Sequence, residues 1–256
     1  PIGRLAITMA AILSGSLLVV PLSDILAFAW FMSLWVGYTV IADRQEPNMR
    51  PASRVMHDVR VRWMQRMLER DNRMADVNIV TAHMRSAMLF ASITILILAG
   101  VMTILGNLGK AREVTSELSF AVGGSQELWE IKTFVLMFIF VYAFFKYAWC
   151  LRQFNFTLIF IGAAPLPEEV NARERKDYPD RGARLMDRSI ITFNRGLRAY
   201  YFGLALLAWF IGPLFLSIAA IWVVAVLYRR DYRSVILQTL SEQEADANKA
   251  HSGVRV

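Results

Sequence analysis

Cysteine is nearly absent. Cys150 is the only one, so the chain can form no intrachain disulfide and no cysteine cluster for zinc or iron–sulfur. A lone cysteine in apolar surroundings reads as a small packing residue. Histidine is scarce too: His57, His83 and His251 all lie outside the apolar runs, which leaves no pair for a membrane-buried haem. Charged residues make up 19%, against about a quarter in ordinary soluble domains. No Asp or Glu falls inside the apolar runs read below as spans, so proton-coupled transport by a buried carboxylate has no candidate. G-x-x-x-x-G-K-[ST], H-E-x-x-H and G-x-S-x-G do not occur, and no Ser or Thr has a partnering His. These absences point away from an enzyme and leave no metal or cofactor to expect.

What the chain has is apolar sequence, 56% hydrophobic over 256 residues. A bilayer core of about 30 Å needs about 20 apolar residues in a helix. Ile25–Ala42 and Ser86–Gly106 meet this, as does Thr133–Cys150 with one charge, Lys146. Ala199–Tyr228 is too long for one span and is broken by Gly212-Pro213. Proline removes a donor and disfavours helix in the residue before it, so two helices are expected, Ile190–Ile211 and Leu214–Tyr228. Leu5–Val20 follows Arg4 as the apolar part of a signal peptide would, but no A-x-A site follows it. It is expected to stay as a helix, spanning or lying shallowly. The fold class is therefore all-α, a polytopic membrane bundle with five core spans, or six if residues 5–20 cross. Residues 1–20 form an N-terminal apolar helix, 21–240 one membrane-helix domain, and 241–256 a polar mobile tail.

Charge orients the bundle. Nine arginines lie in Asp43–Arg85, nine lysines and arginines in Arg152–Arg198, five from Arg229 onward, and Arg4 makes 24 on one side. The connection between the second and third core spans holds only Lys110, Arg112 and Lys132, on a side with Asp24, Glu113, Glu117, Glu127 and Glu130. The positive-inside rule makes the first side cytoplasmic. A membrane protein of this charge pattern accounts for the formal net charge of +7 without nucleic acid.

Segments 43–85 and 151–198 are expected to carry the helices beyond the membrane. In Ala52–Arg85, Met56, Val59, Trp63, Met67 and Met74 share one helical face. Arg54, Arg62, Arg66, Arg70 and Arg73 share the other, a basic face suited to anionic lipid. The third span should start at Ser125 as N-cap and run to Gly162, about 55 Å, which outreaches the bilayer. Pro165–Pro179, with three prolines, is expected to be a loop. Met186, Ile190, Phe193, Leu197 and Tyr200 then form a 4-3-4-3 seam. Two sites follow. Lys146 or Arg152 is expected to pair with Asp43 near the cytoplasmic end of the spans. Asn155, Asn194, Arg195 and Arg198 are a candidate anion or lipid-headgroup site.

Trp35-Val36-Gly37-Tyr38, the run Tyr142-Ala143-Phe144-Phe145-Lys146-Tyr147-Ala148-Trp149, Leu151-Arg152-Gln153-Phe154-Asn155 and Phe193-Asn194-Arg195-Gly196-Leu197-Arg198-Ala199-Tyr200-Tyr201-Phe202 resemble the membrane family catalogued as domain of unknown function 599. The likeness covers roughly Pro21–Leu240 and implies a bacterial inner-membrane protein without an agreed activity. Two functions are carried forward. One is a non-enzymatic accessory or scaffold protein that self-associates or joins a larger membrane complex, its Met- and Phe-rich surfaces suited to adaptable packing. The other is a homo-oligomeric, anion-leaning pore lined near its inner mouth by Lys146, Arg152, Arg195 and Arg198.

Overall fold

The structure, a computed structural model, describes residues 20–43, 51–117 and 125–232, and every regular element among them is helical. The order is α1 (Leu22–Asp43), α2 (Pro51–Leu68), α3 (Met74–Gly106), α4 (Leu108–Ser116), α5 (Gln126–Gly162), α6 (Ala172–Leu207), a short 3-10 turn (Ala208–Phe210) and α7 (Pro213–Tyr232). Leu5–Val19, Gly123-Gly124, His251 and the tail from Ser241 lie outside the described residues.

Among the described residues, four stretches are long and apolar enough to cross a membrane: Leu22–Asp43, Met74–Gly106, Gln126–Gly162 and Pro213–Asp231. The fifth expected span, 190–211, is the second half of α6 and its 3-10 turn, and by the same measure α6 is not among the four. α6 begins in charged sequence and carries Arg195 and Arg198 within that half. The chain does leave the helix before Gly212-Pro213, and α7 starts on Pro213, the first helical position, where a missing N–H costs nothing.

Helix ends follow local chemistry. Ser125 Oγ accepts from Leu128 N at 3.2 Å, capping α5 where expected, and α5 ends at Gly162. The helix expected over 52–85 is instead two. Asn72 Oδ1 accepts from Met74 N at 2.9 Å and restarts the chain as α3. The restart shifts the helical phase: Met74 is 63% exposed, while Met64, Met67 and Leu68 are buried. The loop expected over Pro165–Pro179 is shorter, because α6 begins at Ala172 and contains Pro179. Asn171 Oδ1 accepts from Glu174 N at 2.9 Å and Glu174 Oε2 accepts from Asn171 N at 3.2 Å. This reciprocal cap starts the helix early enough to run through the proline.

The described chain divides into two compact units. The first takes the residues up to Thr39, Ile93–Ala143 and Arg198–Val224. Aromatic rings fill it: Phe28 stacks on Trp209 at 5.2 Å, and Phe31 meets Phe202 edge-on at 5.7 Å. A Cβ on Gly203 would sit 3.0 Å from the Phe140 ring, so the small residue permits this approach. The second unit takes Val40–Ser92, Phe144–Leu197 and the chain from Ala225. Met64, Met67, Cys150, Phe154, Ile161 and Met186 form its core. There a Cβ on Gly196 would come within 2.9 Å of the Tyr147 ring.

Candidate functional site

Within the second unit, side-chain contacts fix how α3, α5 and α6 align. Phe90 stacks on Tyr147 with centroids 5.5 Å apart, and His83 meets Phe154 at 5.9 Å, so α3 and α5 run antiparallel here. Tyr147 meets Phe193 at 5.6 Å, and Cys150 Sγ donates to the Ser189 carbonyl at 3.2 Å, which sets α6 antiparallel to α5.

This alignment tests the expected clusters. Asp43, the last residue of α1, accepts from Arg195 Nε at 2.9 Å. α6 therefore supplies an ionic partner that the sequence reading had assigned to the anion site. Lys146 is half-buried on α5. Arg152 is exposed, its guanidinium lying 5.6 Å from the Phe156 ring of its own helix, and among the described residues no carboxylate pairs with it. The anion cluster is not assembled as drawn. Asn155 is exposed on α5 at a level about ten residues along α6 from Asn194 and Arg195, roughly 14 Å. Arg198 is buried and belongs to the first unit.

The basic helix is corrected too. Arg62 and Arg66 are exposed on α2, and the side chain of Arg54 lies outside the described residues. Arg70 and Arg73 lie on no helix, because α2 has ended. Arg70 Nη1 pairs at 2.7 Å with the fully buried Asp76, which also accepts from Trp63 Nε1 at 2.7 Å. Arg73 donates to the Ala164 carbonyl at 2.6 Å and to the Pro165 carbonyl. Arg70 thus braces the α2–α3 corner from within, and Arg73 ties that corner to the end of α5. Nearby, His57 Nδ1 lies 2.5 Å from Asp187 Oδ2, and Arg60 Nη1 donates to Asp187 Oδ1 at 2.6 Å, tying α2 to α6. Tyr178 donates to the Phe160 carbonyl at 2.6 Å. Burial raises the Tyr178 phenol above its ordinary value, with Arg73 opposing and Glu174 adding to the shift.

The first unit holds a charge pair that the sequence reading had assigned to an outer connection. Asp24, in the first turn of α1, and Lys132, in α5, are 4% and 3% exposed. Lys132 Nζ lies 3.1 Å from Asp24 Oδ1 and donates to the Trp209 carbonyl at 2.9 Å. Trp209 Nε1 donates to the same Asp24 oxygen at 2.8 Å. Three elements meet at this closed ring of contacts. Its partners satisfy one another, so it locks helix ends together and presents no open ligand position.

No catalytic constellation converges in either unit among the described residues. Among the side chains that the second unit exposes are Arg85, Arg152 and Arg188, and the apolar Ile79, Phe156, Ile159 and Leu166. No curated protein and no solved structure matches the chain. The family model described as "Protein of unknown function, DUF599" matches residues 26–236, most of the chain, and the protein belongs to that family.

Proposed function

We propose that the chain is a non-enzymatic integral protein of the bacterial inner membrane, an accessory or scaffold subunit that self-associates or joins a larger membrane complex. The observation that carries this reading is the apolar surface at the far end of α5. Phe156 is 45% and Ile159 67% exposed, and Leu166 follows at 55%. α5 is about 55 Å long, whereas the hydrocarbon core is about 30 Å. Lipid that covers the helix up to Trp149 has no reach to Phe156 and Ile159. Apolar residues grouped beyond the bilayer mark a protein contact.

The test is the mass of the native particle extracted gently from its own membrane, with every co-migrating polypeptide identified. A particle heavier than one chain, reduced to one chain by F156S/I159S, is expected. A single-chain particle in the unsubstituted protein overturns the reading. The second reading, an anion-leaning oligomeric pore, is favoured by the half-buried Lys146 on an apolar helix. The pairing of Arg195 with Asp43 removes one of its charges. Reconstituted protein that leaks no anion from liposomes would exclude it.

A further inference from the structure

The alignment of the helices brings three exposed arginines to one level of the second unit. Phe90 lies beside Tyr147 and His83 beside Phe154, which sets Arg85 of α3 level with Arg152 of α5. Tyr147 beside Phe193 and Cys150 beside Ser189 set Arg152 level with Arg188 of α6. All three are exposed, and no carboxylate among the described residues pairs with them.

This level coincides with the end of the apolar stretch. Arg85 is the last charge of α3, and 21 residues without Asp, Glu, Lys or Arg follow it to Gly106. That length is about 30 Å of helix, the thickness of the hydrocarbon core. Lys110 stands just past the other end. On α5, exposed Trp149 sits one turn to the apolar side of Arg152. An indole one turn from a guanidinium suits the headgroup region. Guanidinium is also the side chain best matched to phosphate oxygens.

We propose that Arg85, Arg152 and Arg188 form a collar that binds the phosphate groups of anionic lipids and sets the depth at which the chain sits in the bilayer. The proposal rests on the membrane reading above. It assigns the lipid contact to three helices of the bundle, not to the arginines of α2.

The experiment uses the full chain in nanodiscs of phosphatidylcholine, with and without phosphatidylglycerol. Melting temperature and the lipid retained in native mass spectra are the readouts. R85Q/R152Q/R188Q is compared with R66Q/R175Q/R181Q, which removes the same charge from exposed arginines beyond the collar. Phosphatidylglycerol is expected to raise the melting temperature of the unsubstituted protein and of the second triple. The collar triple should lose that rise and bind the lipid about a hundredfold more weakly, each arginine contributing about fivefold. If the triple does not fold, the single variants carry the test at about fivefold each.

An unchanged response in the collar variants overturns the proposal, and so does an equal loss in both triples. A melting shift produced by inorganic phosphate in pure phosphatidylcholine assigns the arginines to a soluble anion and overturns the lipid reading. Alkaline carbonate distinguishes failure of the collar from failure of the membrane reading. A collar that fails leaves the protein in the membrane pellet, whereas a membrane reading that fails releases it.

Discussion

At the scale of single residues, the strongest constraint is the buried pair of Lys132 and Asp24. Each is almost fully removed from solvent, and they lie 3.1 Å apart. Removing one partner of such a pair strands the other charge, which costs about 3–5 kcal/mol, whereas removing both charges together costs far less. K132M should therefore unfold much earlier than the unsubstituted protein in a detergent melt. D24N/K132M should recover part of that loss, because Asn keeps an acceptor for the Trp209 indole. Equal melting of K132M and the unsubstituted protein would show that the pair holds nothing together.

Tyr178 makes a smaller prediction with a pH signature. Its phenol is raised above the ordinary value near 10, first by burial. The folded state thus holds this proton more tightly than the unfolded chain does. The stability from it is fully present below about pH 10 and is lost as pH rises through the raised folded value. Y178F loses the hydrogen bond to the Phe160 carbonyl and should be about 1 kcal/mol less stable at neutral pH. Stability measured against pH should show the gap narrowing above about pH 10. A gap that stays constant would mean the phenol does not titrate differently in the two states.

At the scale of elements, legibility in the sequence depended on how local the deciding signal was. α5 was readable at both ends, since Ser125 caps its own helix and Gly162 ends it. The start of α6 is hidden by the three prolines of Pro165–Pro179, although Asn171 and Glu174 stand at capping-box spacing. Asn72 likewise signalled the break between α2 and α3, but the run of arginines spaced like one helical face concealed it. The Asp24–Lys132 and Asp43–Arg195 pairs join residues far apart in the chain, and no periodic pattern records such a meeting. N171A should cost about 1 kcal/mol. The loss should be local: amide exchange over 172–178, ahead of Pro179, should speed up more than exchange over 190–205. A uniform change would place the stability of α6 in its packing and not in its cap.

At the scale of the whole molecule, the proposals depend on which side of the membrane each charged segment occupies. The 24 basic residues of the terminal and 43–85 and 152–198 segments stand against three in the connection around α4. An energised inner membrane retains such segments on its inner face. The prediction is readily made visible because Cys150 is the only cysteine and is buried in the second unit. In a Cys150→Ala background, single cysteines at Arg66, Arg181 and Lys110 replace three exposed side chains. An impermeant maleimide applied to intact spheroplasts should label K110C. It should reach R66C and R181C only after permeabilisation. Labelling of R66C or R181C in intact cells would reverse the orientation and place the arginine collar at the outer leaflet. The accessory reading would then require a periplasmic partner for Phe156 and Ile159. With the expected pattern, the same residues face cytoplasmic partners, and Arg85, Arg152 and Arg188 meet the headgroups of the inner leaflet.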